Sequence, residues 1–333
     1  MMVVVPYGWS GARAQKDGGM RHLPVMVDEV VRYLLHERTR LVVDGTVGFG
    51  GHAEAILRAH SGVQLIGVDR DPAALEASAA RLRDYADRVT LVRGLYSDFS
   101  HILAGVGKVD AVLLDLGFSS PQLDTAARGF GHSAKGPLDM RMGDEGETAA
   151  QLLSRLDVEG IASLLREYGE VRQPRRVARA IAAAVQEGTL VTTTDLRAAV
   201  VAALGRGVAP AELSRVFQAV RIAVNHELDI LRGFLDGVLD VLNPGGRLVI
   251  MSYHSLEDRM VKLFLRDASA TCVCPPSVPV CVCGRVPRIE LLTRRAIRAS
   301  EVETAANPRA RSATLRAASK VGNGNRVSGG RVQ

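Results

Sequence analysis

Short apolar runs alternate with helix-type patterns through the first third of the chain. The predicted helices start near His52 and at Pro72, where a proline suits the first helical turn. Because strands and helices alternate, the pattern favours a parallel sheet covered by helices on both faces. The strands are predicted at RLVVD from Arg40, VQLIGVD from Val63, RVTLVRG from Arg88 and VDAVLLDLG from Val109.

The alternation stops after the fourth strand. The next strand, GGRLVIMSYH from Gly245, comes roughly 100 residues later than an ordinary crossover would place it. We therefore predict a helical domain inserted after strand four. Its helices are VEGIASLLREYG, VRQPRRVARAIAAAVQEG, TTDLRAAVVAALG and AELSRVFQAVRIAV. The late segments RIELLTRRAI and RSATLRAASK are predicted to close the sheet as an antiparallel hairpin.

The predicted domain boundaries follow from these patterns. The sheet domain comprises 21–120 and 225–320, and the inserted helical domain comprises 121–224. Residues 1–20 are expected to form a disordered extension, and 321–333 a disordered basic tail. No run approaches the roughly 18 apolar residues of a membrane span, and the N-terminus lacks the marks of a signal peptide. Four cysteines among 333 residues make no disulfide scaffold, which indicates a cytoplasmic protein.

The charge of the chain is unevenly distributed. The net charge is +6, but from Arg285 onward eleven Lys and Arg residues accompany only three acids, so the rest of the chain is near-neutral. A basic tail on such a body indicates a polyanionic partner such as nucleic acid. The alternative is a solvated tail without a partner.

The stretch VVDGTVGFGGHAEAIL, which begins at Val42, combines a strand, a glycine loop and a helix start. Gly48, Gly50 and Ala53 fit the dinucleotide fingerprint G-x-G-x-x-G/A, which is weak evidence on its own. Asp44 distinguishes two cofactor classes. A carboxylate at the strand tip repels the pyrophosphate of NAD, whereas it suits the cationic sulfonium and amino groups of S-adenosylmethionine.

Two further strands end in aspartate. Asp69 ends the second strand, where a carboxylate bonds ribose hydroxyls, and Asp115 ends the fourth. Helix capping is the alternative interpretation for Asp69 and its neighbour Asp71. Three acids along one edge of the sheet match a cation better than a dinucleotide, so the residues favour a methyl donor over NAD.

The motifs together resemble one family. They are HLPVMVDEV, DGTVGFGGHAEAIL, DLGFSSPQLD, RGF, GPLDMRM, YGE, FQAVRIAVN, NPGGRLVIMSYHSLEDRMVK and NPRARSATLRA, and they run from His22 to about Ala317. In this order they are similar to the RsmH/MraW family, bacterial methyltransferases that modify N4 of a cytosine in 16S ribosomal RNA.

This resemblance implies a class I S-adenosylmethionine-dependent methyltransferase fold. Such a fold is Rossmann-like, with a mostly parallel seven-stranded sheet, and here it carries the helical insertion for substrate recognition. Besides Asp44, the cofactor contacts implied are Gly50, Gly51, His52, Asp69, Tyr96, Asp115 and Gln122. Tyr96, just after strand three, is placed to stack on adenine, and ordinary packing is its alternative. A local bond at the helix start is the alternative for His52.

Three residues are candidates for the chemistry at the amine. Asp115 begins D-L-G-F, which echoes the D-P-P-Y motif of amino-methyltransferases, although Asp115 could serve only the cofactor. His254 lies at the tip of strand five, beside the expected cleft. Its alternative is packing, with Ser255 and Asp258 starting the helix in a capping-box-like arrangement. Asp139 in GPLDMRM is the third candidate, with a turn as its alternative.

Two clusters suggest further binding. Arg172, Arg175, Arg176 and Arg179 are spaced to share one helix face that grips RNA phosphates, or else a solvated surface. Cys272, Cys274, Cys281 and Cys283 suit a structural zinc ion, although two Cys-x-Cys pairs are closer than the preferred spacing. Reduced thiols in a surface loop are the alternative, and no metal is assigned.

The sequence therefore predicts a methyltransferase that uses S-adenosylmethionine to modify cytosine N4 in the decoding region of 16S rRNA, with the small ribosomal subunit as partner. A methyltransferase acting on another RNA or nucleobase amine is the nearest alternative. An NAD-dependent oxidoreductase and a non-catalytic RNA-binding protein are the more distant ones.

Overall fold

The computed structural model describes residues 24–117, 123, 125–205, 207–275 and 280–322. The chain divides into two compact units, Met1–Gly117 with Leu231–Gln333, and Phe118–Ile230. The predicted extension at 1–20 lies outside the described residues, as does nearly all of the predicted tail. The recognition role assigned to 121–224, and the predicted domain boundaries, stay predictions.

The first unit contains one eight-stranded sheet. Its order is β3-β2-β1-β4-β5-β8-β6, with β7 also paired to β8. Strands β1 to β5 pair in parallel, and β8 runs antiparallel to β5. The strands are β1 Leu41–Asp44, β2 Gln64–Asp69, β3 Val89–Arg93, β4 Val109–Asp115, β5 Leu242–Ser252, β6 Ile289–Leu291, β7 Ile297–Arg298 and β8 Thr314–Lys320.

Strands β6 and β7 occupy one edge position of this sheet. Both pair antiparallel with β8, whose other side is taken by β5. Between them, the N–H groups of Leu292 and Thr293 both donate to the Ala317 carbonyl, which interrupts the edge. The sheet therefore has seven strand positions. The predicted α/β class with a mostly parallel sheet and its closing hairpin are confirmed, with one predicted strand divided in two.

Twelve α-helices lie within the described residues. They are α1 Val27–Leu34, α2 Gly51–Ala59, α3 Pro72–Arg81, α4 Phe99–Ile102, α5 Ala149–Arg155, α6 Val158–Gly169, α7 Pro174–Gln186, α8 Thr193–Leu204, α9 Pro210–Asn225, α10 Glu227–Val241, α11 Ser255–Ala268 and α12 Glu301–Ala306. None of these described helices is both long enough and apolar enough to cross a lipid bilayer.

The sheet is buried on both faces, as the apolar runs predict. Along β4, Leu113 belongs to one hydrophobic cluster and Leu114 to the other, because successive side chains point to opposite faces. Ile56 of α2 packs into the Leu113 cluster, and Phe234 of α10 packs into the Leu114 cluster. Both faces are thereby covered, which leaves the strand ends as the open edge of the sheet.

The second unit is helical and has its own core, formed by residues such as Leu153, Ile161, Ile181 and Val216. The four predicted helices are present as α6 to α9. Helix α5 was not predicted. Its sequence signal is the capping box at its start, where the Thr148 side chain accepts from the Gln151 N–H.

One buried asparagine connects two motifs of the second unit. The Asn225 side chain at the end of α9 donates to the Met140 carbonyl at 2.8 Å and accepts from the Met142 N–H at 2.8 Å. Next to it, Arg221 forms a buried bidentate ion pair with Glu227, at 2.8 and 2.9 Å. These contacts give the FQAVRIAVN and GPLDMRM motifs a structural role.

Candidate cofactor and active site

The carboxyl ends of β1 and β4 meet where the direction of strand order reverses. From β1 the chain builds outward through β2 and β3 on one side, and through β4 and β5 on the other. Ligands of open α/β sheets bind in the crevice at such a point. Asp69, Asp44 and Asp115 end β2, β1 and β4, three adjacent strands. The three predicted acids therefore share one edge at the expected crevice.

The glycine loop between β1 and α2 forms one wall of this edge. Gly48 and Gly50 adopt positive φ values of 51° and 74°, and Gly50 is the N-cap of α2. A side chain at Gly45 would clash with Leu114 and come within 2.9 Å of Phe99. The glycines therefore let the loop take left-handed turns and approach β4 closely, and they leave main-chain N–H groups at the helix start.

Asp69 holds this loop in place. One carboxylate oxygen accepts from the Gly48 N–H at 2.9 Å, and the other accepts from the Asp71 N–H at 2.9 Å. Asp71 in turn caps α3 by accepting from the Ala73 N–H at 3.1 Å. The helix-cap interpretation is thus correct for Asp71, while Asp69 links β2 to the glycine loop. Its predicted contact with ribose stays a prediction.

Asp115 is oriented from several sides. The Tyr253 hydroxyl donates to its Oδ1 at 2.8 Å, and its N–H donates to the Thr46 hydroxyl at 2.7 Å. His52 Nδ1 lies 3.4 Å from its Oδ2. Sequence reasoning did not single out Tyr253 or Thr46, although both lie inside quoted motifs and directly after strands. The side chain of Asp115 is therefore held in one orientation at the crevice.

The hydrogen bonds of His52 determine its tautomer. Its Nε2 lies 2.8 Å from the Val25 carbonyl oxygen, which can only accept, so Nε2 carries a hydrogen. Nδ1 then faces the carboxylate of Asp115, whose Oδ2 lies 3.4 Å away. His52 is buried, and its partners Val25 and Asp115 are distant in sequence, so these contacts are not the local bond of its alternative interpretation. Its predicted contact with the cofactor remains untested.

Removal from water disfavours the ionised forms of the three carboxylates. Desolvation raises the pKa of Asp44 to about 7 and that of Asp69 to about 6, and it also raises the pKa of Asp115. The nearby His52 opposes this rise at Asp44 and Asp115. Because the pKa values of Asp44 and Asp69 stay raised in spite of their neighbours, the crevice favours a cationic ligand over a phosphate.

Tyr96 begins a short 3-10 turn after β3, Tyr96–Asp98. Its ring meets Phe234 edge to face, with centroids 5.6 Å apart, and it is partly buried against the sheet core. Ordinary packing, the alternative interpretation, therefore accounts for one side of the Tyr96 ring. Stacking of the ring on adenine stays a prediction. Gln122 lies outside the described residues.

His254 caps helix α11. Its Nδ1 accepts from the Glu257 N–H at 3.4 Å, and Glu257 Oε2 accepts from the Tyr253 N–H at 2.9 Å. The predicted Ser255 and Asp258 cap is wrong by one position, because Asp258 instead pairs with Arg316 at 2.8 Å. The His254 side chain is only 8% exposed. Its Nδ1 thus serves as the cap of helix α11, and its catalytic role stays a prediction.

Asp139 lies in the second unit and forms a turn. Its carboxylate accepts from the Arg141 guanidinium at 2.8 Å twice and from the Arg141 N–H at 3.0 Å. These bonds hold the pKa of Asp139 below its usual value, despite an opposing contribution from burial. The turn interpretation describes this residue, and its catalytic role is an untested prediction.

Three of the four predicted arginines share one surface of the second unit. Arg175, Arg176 and Arg179 of α7 line a concavity of about 560 Å³, together with Arg166, Glu159, Gln173 and Pro174. Arg175 pairs with Glu159 at 3.2 Å, and Arg166 lies 3.6 Å from the same residue. Arg172 precedes the helix and is not part of the lining. The concavity therefore has more cations than anions.

Comparison with known proteins identifies the family. The model of the MraW methylase family matches residues 19–321. A ribosomal RNA small subunit methyltransferase H from Anaeromyxobacter sp. strain K is 47% identical over 306 residues, covering 90% of this chain and 98% of its own. The protein of the same name from Syntrophotalea carbinolica is 48% identical over 305 residues, covering 89% and 97%. Another from Heliobacterium mobile is 47% identical over 310 residues, covering 90% and 99%.

These matches cover nearly all of the described residues, including both units and the whole carboxyl edge of the sheet. The predicted family and the predicted cofactor are confirmed. The chain belongs to the MraW methylase family, and its methyl donor is S-adenosylmethionine.

Proposed function

We propose that this protein methylates the exocyclic N4 of a cytosine in the decoding region of 16S rRNA, with the small ribosomal subunit as its substrate. The observation that carries this proposal is the row of three carboxylates at the crevice of the sheet, one of them, Asp44, fully buried, in a chain of a methylase family. The names of the relatives, which refer to the RNA of the small subunit, support the substrate. Such a substrate places the protein in the cytoplasm.

The residues of the edge fit the cofactor. A cation beside acids with raised pKa values would favour their ionised forms, and the glycine loop leaves N–H groups at the helix start for a carboxylate. In the proposed arrangement, Asp44 faces the cationic end of the cofactor, and the α2 start with Gly50 and Gly51 faces its carboxylate. Asp69 binds the ribose and Tyr96 stacks on the adenine. His52 supports the site by orienting Asp115.

Cytosine N4 is a poor nucleophile because its lone pair is delocalised into the ring. Bound S-adenosylmethionine supplies an electrophilic methyl group. We assign to Asp115 the task of accepting a hydrogen bond from the amine, which draws its lone pair out of the ring plane and towards the methyl carbon. Tyr253 and His52 hold the Asp115 carboxylate in position. With the cofactor bound, the nitrogen–carbon bond would form as the carbon–sulfur bond breaks, and the proton of the methylated amine would pass to solvent water.

The basic concavity of the second unit serves the RNA in this proposal. Arg175, Arg176, Arg179 and Arg166 present guanidinium groups that suit phosphate oxygens. The target base must be unstacked to be reached, so recognition is of exposed bases and not of duplex sequence. Arg172, outside the concavity, is proposed as a peripheral contact.

The test is a methyl-transfer assay with nucleoside analysis. Small subunits from a strain lacking this modification are incubated with labelled methyl donor, and the RNA is digested to nucleosides. We expect labelled N4-methylcytidine with wild-type protein and none with D115A. A different labelled nucleoside would indicate another nucleobase amine. Binding to subunits without any transfer would favour a non-catalytic RNA-binding protein. Thermal stabilisation by NAD and not by S-adenosylhomocysteine would favour an oxidoreductase.

A further inference from the structure

The segment between α11 and β6 carries all four cysteines of the chain. Among its described residues from 269 to 288, none is buried. Val273, Val280, Val282 and Val286 are each more than half exposed, so these described residues form no apolar core of their own. A segment this exposed needs another source of order, and in small units that source is often a disulfide or a metal ion.

The four thiols converge within this exposed segment. Their sulfur atoms all lie within 4.8 Å of one another, and no other described residue joins the set. The Sγ of Cys283 lies 3.5 Å from that of Cys281 and 3.9 Å from that of Cys272, and the Sγ atoms of Cys274 and Cys281 are 4.0 Å apart. A tetrahedral zinc ion with Zn–S bonds of about 2.3 Å requires sulfurs about 3.8 Å apart. The observed spacings match this edge length.

Disulfides do not explain the convergence. All four cysteines are free, and every sulfur of the cluster lies within 4.8 Å of the other three. Main-chain N–H groups also point at the sulfurs: Cys274 N–H donates to Cys272 Sγ at 3.3 Å, and Val273 N–H donates to Cys283 Sγ at 3.5 Å. These bonds hold the sulfurs of Cys272 and Cys283 in place within the cluster.

The base of the segment is fixed to the end of α11. The Arg285 guanidinium donates to the Asp267 carboxylate at 2.7 Å, and the Arg288 N–H donates to the Ala268 carbonyl at 2.8 Å. Beyond this base, the four sulfurs are the groups among the described residues that can cross-link the two sides of the loop. A metal ion there joins both sides of the loop just before the chain enters β6, the edge strand of the sheet.

We propose that Cys272, Cys274, Cys281 and Cys283 bind one structural zinc ion, which orders the loop between α11 and β6. Four thiolates close the coordination sphere, so the site offers no open position for catalysis. Thiolate ligands select zinc over the hard cations magnesium and calcium. The site is independent of methyl transfer and of the substrate proposed above.

The experiment measures metal by mass spectrometry in the full chain, purified without chelators under reducing conditions. We expect one zinc per chain, its complete loss in C272S/C283S, and its retention in the matched control V282S, which changes an exposed valine between two ligands. Zinc released from wild-type protein by a thiol-specific mercurial should make the bonds after Arg285 and Arg288 more sensitive to trypsin. This second readout does not depend on the folding of a variant.

Protein without zinc, or zinc that persists in C272S/C283S, would overturn the proposal. Bound iron with the visible absorption of an iron–sulfur cluster would overturn it as well, and so would an unchanged trypsin pattern after the zinc has been released.

Discussion

The two units each hold a cluster of charged side chains, and the clusters have opposite charge and different surroundings. In the first unit, Asp44, Asp69 and Asp115 lie at the ends of adjacent strands and have raised pKa values because burial disfavours their ionised forms. In the second unit, the cations of the α7 concavity are exposed, with side chains of Arg175 and Arg166 at 66% and 50%. Buried charges interact strongly with one well-placed ligand group, whereas exposed charges are screened by salt and tolerate many positions.

This difference indicates that the two units bind different kinds of ligand. The acids at the strand ends are suited to a small cation that fits one geometry, because Tyr253 and His52 hold the Asp115 carboxylate in one orientation. The exposed arginines are suited to a polyanion, because they add attraction without requiring one arrangement. Changes in the first unit should therefore alter cofactor binding and chemistry, and changes in the second should alter affinity for RNA.

The largest expected effect is on chemistry. We predict that D115A lowers the methyl-transfer rate on saturating subunits by on the order of 10³-fold, because the amine loses the group that orients its lone pair. The matched variant Y253F, which removes only the hydroxyl on Asp115 Oδ1, should lose much less. Single-turnover kinetics measure both rates. Equal rates for D115A and wild-type protein would remove Asp115 from the mechanism.

The next effect is on RNA binding. The triple variant R175A/R176A/R179A should bind small subunits roughly 10- to 100-fold more weakly, and the slope of log affinity against log salt should fall by about 2. Its affinity for S-adenosylmethionine should not change. R155A is the matched control, since Arg155 is 63% exposed in the same unit and pairs with Glu147. Filter binding over a range of salt measures both slopes, and equal slopes would exclude the concavity as an RNA surface.

A smaller effect is expected on cofactor affinity. D44N should weaken the binding of S-adenosylmethionine by roughly tenfold, because a neutral amide replaces the charged acceptor of a cationic group. Without ligand, D44N should melt at a higher temperature than wild-type protein at mildly alkaline pH, since ionised Asp44 is buried without full compensation. Calorimetric titration and thermal melting provide the two values. A destabilised D44N that binds normally would show that Asp44 has a structural role only.

The smallest effect is on pH dependence. The folded pKa of Asp44 is about 7, above its ordinary value, so this group stabilises the unliganded protein at low pH and the contribution is lost as pH rises through about 7. Cofactor binding has the opposite sign, because a cation needs the ionised carboxylate. Affinity should therefore fall by up to about tenfold per pH unit below neutrality. In D44N this dependence should be flatter, and an unchanged profile would contradict the assignment.

Much of the fold could be predicted because the apolar patterns are strong. Strands β1 to β4 and helices α6 to α9 match the predicted segments closely, since each has a continuous buried face. The break between β6 and β7 could not be predicted, because it depends on which main-chain groups reach Ala317 across the sheet. The same holds for the pair of Asp258 with Arg316, whose residues lie far apart in sequence.

The candidate site was predictable at the strand ends and less so elsewhere. Asp44, Asp69 and Asp115 follow apolar runs directly, and parallel strands bring their carboxyl ends to one edge. Tyr253 and Thr46 required the register of β4 against its neighbours, which a single sequence does not contain. His254 illustrates the converse: its position after β5 predicted chemistry, but its hydrogen bonds serve the start of α11.

The most direct test of the central claim is a crystal structure of the protein with S-adenosylmethionine bound. We predict that the cofactor lies over the loop from Gly48 to Gly51, with its ribose at Asp69 and its cationic end within reach of Asp44. A cofactor bound away from the carboxyl ends of β1, β2 and β4, or one that leaves these three acids without contact to it, would contradict the account.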